Sequence, residues 1–73
     1  MIDLNLMAIF ARVVEAESFA EAARRMNTSR SAVSKAVAKL EKTLGARLVN
    51  RTTRHLSLTE IGLMVADHCC RML

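Results

Sequence analysis

The stretch "TSRSAVSKAVAKLEKTLGAR", residues 28–47, decides the fold because it sorts its side chains onto two sides of one helix. At about 100° per residue, its large apolar residues form a narrow stripe that predicts packing on a core: Val33, Val37, Leu40 and Leu44. The opposite arc carries small and basic residues: Ser31, Ser34, Lys35, Ala38, Lys39 and Lys42. A helix that only closes a core has no need of such an outer face, so the pattern indicates a surface for a partner.

Capping residues delimit this helix and the two that precede it. Thr28 or Ser29 can cap its start, and Gly45 is typical of its end. Upstream, "SFAE" predicts a capping box at the start of a second helix, with Ser18 accepting from the Glu21 N–H and Glu21 reaching back to the Ser18 N–H. That helix ends at "MNTS", with Asn27 as a left-handed C-terminal residue. A first helix is expected from Leu4 to Glu15, with Asp3 as its N-cap.

Two short strands and a fourth helix are expected after residue 45. Leu48, Leu56 and Leu58 indicate strands with alternating burial, joined by a polar, basic turn at 50–54. Thr59 then caps a last helix, with Glu60 in its first turn. An apolar stripe continues to the last residues of this helix: Ile61, Met64, Val65, His68 and Met72. One short domain has little core left to cover that stripe, so we expect it to pack on a second copy of the chain or on further sequence.

The positive charge is concentrated in one part of the chain. Residues 1–29 carry three basic and four acidic side chains, a balance of −1. Residues 30–55, here called the basic block, carry seven basic side chains against Glu41, a balance of +6. Residues 56–73 carry one basic and two acidic side chains, again −1. Such a block favours a polyanionic partner, although an ordinary solvated surface remains an alternative.

Composition excludes several other classes of protein. The chain has 73 residues, of which 52% are hydrophobic, so one small domain is expected rather than a disordered segment. No apolar run reaches the roughly 20 residues of a membrane span, and the start lacks the features of a signal peptide. Cys69 and Cys70 are adjacent and unsuited to a structural crosslink, which predicts reduced thiols in the cytoplasm, with a redox role left open. Only two aromatic residues are present, so a base-stacking platform is disfavoured.

Neither a metal site, a cofactor site nor a catalytic site is predicted. His68, Cys69 and Cys70 are consecutive on one helix, where side chains diverge by about 100°, so they do not have zinc-ligand spacing. The sequence contains no nucleophile–base pair, no glycine-rich phosphate loop and no cluster of carboxylates. The expectation is therefore a binding domain rather than an enzyme.

Two helices joined by a tight break and followed by a basic hairpin predict a winged helix-turn-helix, a mainly α fold. In that motif the second helix of the pair enters the DNA major groove, with its N-terminal residues at the base edges. The candidate contacts on the helix are Ser29, Arg30, Ser31, Ala32, Ser34, Lys35, Ala38, Lys39 and Lys42. Arg30 has the geometry to bind guanine, and Ala32 or Ala38 to contact a thymine methyl. Lys39, Lys42 and Arg47 are candidates for phosphate contacts, and the wing would add Arg51, Thr52 and Arg54 at phosphates or in a narrow minor groove.

The run from Phe10 to Gly62 resembles the N-terminal domain of LysR-type transcriptional regulators. The matching residues are Phe10, Ser18, Phe19, Ala22, Ala23, Ser29, Ala32, Val33, Ser34, Leu40, Glu41, Leu44, Gly45, Leu48, Arg51, Leu58, Thr59 and Gly62. The resemblance implies a bacterial, dimeric, double-stranded-DNA-binding regulator. It assigns residues 1–58 to the winged helix-turn-helix and 59–73 to the start of a linker helix that pairs with that of a second subunit. A C-terminal domain that binds a small-molecule effector would lie outside this chain.

Several residues depart from the family pattern on the face expected to read DNA. Arg30 stands where glutamine is usual, Ser31 where proline is frequent, and Lys35 where arginine is frequent. Ala36 and Ala38 replace glutamine or arginine, and Val49 replaces phenylalanine. An altered base preference follows, since arginine favours guanine where glutamine favours adenine.

Two other classes of function remain open from the residues alone. A small helical module that binds an acidic protein would also carry a basic face. A basic amphipathic peptide on a membrane would need one long helix, and the caps at Ser18, Ser29 and Thr59 break that continuity.

Overall fold

The computed structural model describes residues 4–50 and 56–72, except for the side chains of Cys70 and Met72. Four helices follow one another along the chain. They are α1 (Leu4–Ala16), α2 (Phe19–Arg25), α3 (Arg30–Leu44) and α4 (Glu60–Met72). The predicted Asp3 cap lies outside the described residues. Two segments between α3 and α4 run antiparallel, which completes the expected winged helix-turn-helix.

Helix α1 is the centre of the fold, because it packs against each of the other three helices. Its buried side chains include Phe10 and Val13, which belong to the same core cluster as Val33, Val37 and Leu40 of α3. Ala22 and Ala23 of α2 are also buried, and their small side chains let α2 and α3 lie close together. Burying each large apolar side chain stabilises the fold by about 1.5–3 kcal/mol. The packing of these few residues therefore sets the orientation of α3.

The turn between α2 and α3 has the geometry that "MNTS" predicts. Asn27 adopts a left-handed conformation, with φ of 55°. The Thr28 N–H donates to the Ala23 carbonyl at 2.9 Å, and the Asn27 N–H donates to the Arg24 carbonyl at 3.2 Å. This pair of bonds is a Schellman motif, which ends α2 sharply and aims the chain into the next helix. Glu17, at the break between α1 and α2, also has positive φ, at 57°.

Only half of the predicted capping box forms at the start of α2. The Ser18 hydroxyl accepts from the Glu21 N–H at 3.1 Å, as expected. The Glu21 carboxylate does not accept a hydrogen bond from the Ser18 N–H, because its oxygens accept from Arg24 and Arg25 on the same helix. Charge-assisted bonds to guanidinium groups are stronger than a bond to a neutral N–H, which explains the difference.

The predicted wing strands are short and are only partly alternating in burial. Val49 and Leu58 form an antiparallel bridge, and the Asn50 N–H donates to the Ser57 carbonyl at 2.9 Å. Leu48 and Val49 are both buried, although they are consecutive, while Leu56 and Leu58 are half-buried. The predicted turn beyond Asn50 lies outside the described residues.

Candidate nucleic-acid interface

The start of α3 is fixed by local hydrogen bonding. The Ser29 side chain accepts from the Ala32 N–H at 3.0 Å, and Ser29 itself is extended, with φ of −88°. Arg30, Ser31 and Ala32 therefore occupy the first helical turn, and all three are exposed. At the other end, Gly45 is left-handed with φ of 69°, as its position predicts. The helix thus presents a free N-terminal turn at the corner of the molecule where the α2–α3 turn lies.

The two faces of α3 separate as the sequence predicts. Val33, Val37 and Leu40 are buried, and Leu44 is half-buried. The candidate contact residues that are exposed are Ser29, Arg30, Ser31, Ala32, Lys35, Ala38, Lys39 and Lys42. Ser34 is half-buried, at the border of the two faces. The structure therefore gathers these candidates on one side of one helix, while their contacts to DNA stay predictions.

Ion pairing divides the basic residues into two groups. The described cations outside the basic block each pair with a carboxylate of their own helix: Arg12 with Glu15, Arg24 and Arg25 with Glu21, and Arg71 with Asp67. The described cations inside the basic block are exposed: Arg30, Lys35, Lys39, Lys42 and Arg47. Within residues 4–50 and 56–72, none of these five forms an ion pair with a carboxylate. Their charge is consequently uncompensated on one side of the domain.

The Glu21 carboxylate neutralises the arginines behind this surface. Hydrogen bonds from Arg24, and more weakly from Arg25, lower the pKa of Glu21 from its ordinary 4.5 to about 2. The same contact raises the pKa of Arg24. Glu21 is therefore ionised at any physiological pH, and the end of α2 contributes less free positive charge than its two arginines suggest.

Glu41 joins α3 to the base of the wing, a role that its sequence position alone did not reveal. Its carboxylate is buried, with 8% of the residue exposed, and one oxygen accepts from the Leu48 N–H at 2.8 Å and the Val49 N–H at 3.2 Å. A signal was present, since Glu41 is the only acid in the basic block and lies four residues after Val37, on the buried face. These bonds explain why two consecutive residues of the wing are buried. They also hold Leu48 and Val49, at the base of the wing, beside α3.

Only the base of the predicted wing lies within the described residues. Arg47 is exposed just before the first wing segment. Arg51, Thr52 and Arg54 lie outside the described residues. The described bases of the wing, at 48–50 and 57–59, are paired with each other, and the first of them is bonded to Glu41 of α3.

Helix α4 turns its small residues inward and its large ones outward. Gly62, Ala66 and Cys69 are buried, and α4 packs on α1. Of the predicted interface stripe, Ile61, Met64 and His68 are exposed, Val65 is half-buried against the core, and the Met72 side chain lies outside the described residues. Leu63, which the stripe omitted, is 58% exposed beside Met64 at 65%. Within residues 4–50 and 56–72, nothing covers these exposed apolar side chains of α4.

In the described part of the chain, no group of three or more His, Cys, Asp or Glu side chains is arranged to hold a metal ion. Cys69 is buried and forms no disulfide within the described residues. None of the helices in residues 4–50 and 56–72 has the length and apolar character needed to cross a membrane.

The sequence and the fold match known regulatory proteins. Residues 4–63 match the family model described as "Bacterial regulatory helix-turn-helix protein, lysR family". The chain is 47% identical over 70 residues to the Escherichia coli transcriptional activator AaeR, covering 96% of this chain and 23% of that protein. It is 50% identical over 66 residues to a Pseudomonas aeruginosa HTH-type transcriptional repressor, covering 90% of this chain and 21% of that protein.

A solved relative has the same fold. The structure described as BenM_DBD in complex with catB site 1 DNA superposes with a TM-score of 0.90 at 27% identity, covering 96% of this chain and 79% of that one. The chain spans less than a quarter of the length of the two sequence relatives. The matched family is regulatory rather than enzymatic, and it matches over most of the chain. The chain therefore belongs to the LysR family of bacterial regulatory helix-turn-helix proteins.

Proposed function

We propose that this chain is the DNA-reading domain of a bacterial transcription regulator, acting on double-stranded DNA in the cytoplasm. Helix α3 lies in the major groove with its first turn at the base edges, and the wing lies along the adjacent backbone and minor groove. Two copies joined through α4 read the two halves of a palindromic site.

The observation that carries this proposal is the division of the cations. Helical arginines elsewhere are neutralised by a carboxylate three or four residues away, whereas the five described cations of the basic block are left free. Free, exposed lysines and arginines on one side of a domain suit a phosphate backbone, where each contact releases condensed counterions. Lys39, Lys42 and Arg47, with Arg51 of the wing, supply most of the affinity in this proposal.

Sequence preference is assigned to the N-terminal half of α3. Arg30, in the exposed first turn, is long enough to bind guanine O6 and N7 in a bidentate manner. Ser29, Ser31 and Ser34 are short, so the backbone of α3 can approach the groove and the hydroxyls can bind bases or phosphates. Ala32 and Ala38 offer methyl groups to thymine. Lys35 is a point charge, which suits a phosphate better than a base.

The wing and α4 complete the proposed assembly. Arg51, Thr52 and Arg54 contact the backbone or a narrow A·T-rich minor groove. The exposed part of the α4 stripe, Ile61, Met64 and His68, packs on the same face of a second copy, with Val65 and Met72 at its edges. The regulator that contains this domain carries an effector-binding domain after α4, through which a small molecule acts. No cofactor is assigned to this domain.

A selection from random duplexes followed by an anisotropy titration tests the proposal. The selected duplex and a scrambled duplex are titrated at several salt concentrations. A palindromic winner bound at least about a thousandfold more tightly than the scrambled duplex is expected of a specific reader. Equal and steeply salt-dependent binding to both duplexes would reduce the surface to a nonspecific basic patch and would contradict the proposal.

A further inference from the structure

The backbone of Leu48 lies where α3, the wing and α4 meet. Its N–H donates to the Glu41 carboxylate of α3 at 2.8 Å. Its carbonyl accepts from the N–H of Thr59, the residue before α4, at 3.0 Å. The Leu48 side chain is fully buried, so the Leu48 backbone moves only together with the core around it. One residue of the wing base is thus bonded to the proposed recognition helix on one side and to α4 on the other.

The Thr59 side chain strengthens the same junction. Its hydroxyl donates to the Arg47 carbonyl at 2.6 Å and accepts from the Gly62 N–H at 2.9 Å. A hydroxyl has one proton to donate and two lone pairs, so both bonds form at once. Gly62 in turn lies against Leu48, since a Cβ built on Gly62 would stand 2.0 Å from the Leu48 oxygen. We call Glu41, Leu48, Thr59 and Gly62 the junction clamp.

We infer that the junction clamp sets the angle between α3 and α4, and that Thr59 is thereby a positioning residue for the spacing of the two half-sites. The inference rests on the proposed dimer through α4. In such a dimer, the angle between α3 and α4 of each copy determines where its α3 meets the DNA. One added base pair moves a half-site by about 3.4 Å along the DNA and by roughly 35° around it. A rigid clamp therefore makes the dimer intolerant of altered spacing.

Packing of α4 on α1 also holds α4 on the domain, and the small side chains of Ala66 and Cys69 are buried there. Hydrogen bonds at the junction clamp are directional and weaken steeply when they are bent. Removing the Thr59 hydroxyl therefore loosens the angle of α4 while α4 stays in place.

Three variants and a set of duplexes test the inference. Thr59→Val removes the hydroxyl and keeps the shape of the side chain, whereas Thr59→Ser keeps the hydroxyl. Thr43→Val makes the same chemical change on the exposed side of α3, where the hydroxyl bonds only to the Lys39 carbonyl. Each protein is titrated with the selected palindrome, with the same palindrome lengthened or shortened by one base pair, and with a single half-site. Thermal melts confirm that every variant is folded at the titration temperature.

The expected result is a change in spacing selectivity at constant half-site affinity. The unaltered chain, Thr59→Ser and Thr43→Val should lose at least about tenfold in affinity when the spacing changes by one base pair, the scale of one lost base contact. Thr59→Val should lose less than about threefold and bind the single half-site as tightly as the unaltered chain.

Two results overturn the inference alone, and a third overturns the proposed function together with the inference. A Thr59→Val profile as steep as that of the unaltered chain shows that the clamp does not set the spacing. A flat profile for the unaltered chain also overturns it, while leaving the reading of single half-sites intact. Failure of the unaltered chain to distinguish the half-site from scrambled DNA overturns the proposed function itself, and the inference with it.

Discussion

Gly62→Ala should destabilise the domain, although alanine is the better helix former. A methyl group on Gly62 would lie 2.0 Å from the Leu48 oxygen and 2.9 Å from the Leu48 carbonyl carbon. Ordinary contacts begin at 3.4 Å, so the two backbones must separate by 3.4 − 2.0 = 1.4 Å. Both are main chain, so no side-chain rotation relieves the contact.

The expected loss of unfolding free energy is the sum of the interactions that this separation changes. Moving the start of α4 by that distance breaks the Thr59 N–H bond to Leu48, which contributes about 0.5–1.5 kcal/mol. Distorting a well-packed core costs about 1–3 kcal/mol more. The higher helix propensity of alanine stabilises α4 by about 1 kcal/mol and offsets part of this loss. The net is about 2 kcal/mol, or a fall in Tm of about 8–16 °C for a domain of this size.

Thermal and urea unfolding followed by circular dichroism measure this difference. Gly45→Ala is the matched control, since it adds the same methyl group where nothing lies within 4 Å. Its φ of 69° imposes only the left-handed strain, about 1–2 kcal/mol, with no collision. If Gly62→Ala melted at or above the temperature of the unaltered chain, the close approach of α4 to Leu48 would be refuted.

Three further predictions concern the basic face and its surroundings. Lys42→Ala should weaken binding to all duplexes alike and reduce the salt slope by about one, whereas Arg24→Ala, which removes an arginine already paired with Glu21, should leave the slope unchanged in the same titrations. Ser31→Glu should reduce the affinity for the operator at least about a hundredfold, because it places a carboxylate against the groove. An acidic residue in the first turn favours the helix, so circular dichroism should show that α3 stays folded. Unchanged affinity would contradict the placement of α3 in the groove. Glu21→Gln should lower the Tm at pH 7, and the difference from the unaltered chain should shrink as the pH falls from 4.5 to about 2, because a carboxyl whose pKa is depressed in the folded state stabilises that state only while it is ionised. A Tm difference that stayed constant with pH, or an NMR titration of Glu21 near pH 4.5, would contradict this last prediction.

Much of the fold could be read from local signals. The caps at Ser18 and Ser29, the left-handed Asn27 and Gly45, and the four helices depend on residues within a few positions of each other. Such interactions are encoded by spacing alone. The prediction for the Glu21 side chain was wrong because two arginines one turn away compete for the same carboxylate, and the capping pattern does not weigh them.

The candidate site was predictable in composition and less so in arrangement. The exposed face of α3 follows from helical periodicity and the position of the buried stripe, so its residues could be named without a structure. For α4, periodicity showed an apolar stripe but not which side meets α1. The structure turns Gly62, Ala66 and Cys69 inward, and at Gly62 the Leu48 backbone leaves no room for a larger side chain, whereas Ile61 and Met64 are exposed.

The sequence by itself determined the helices, their caps, the two-sided character of α3 and the family to which the chain belongs, since these depend on neighbours along the chain. Tertiary structure decided why Glu41 is buried and how Leu48 joins α3 to α4. Those bonds join residues 7 and 11 positions apart, from Glu41 to Leu48 and from Leu48 to Thr59, and no local spacing rule specifies them. The physical reason is that a hydrogen bond forms wherever packing brings a donor to an acceptor, and that packing belongs to the whole domain.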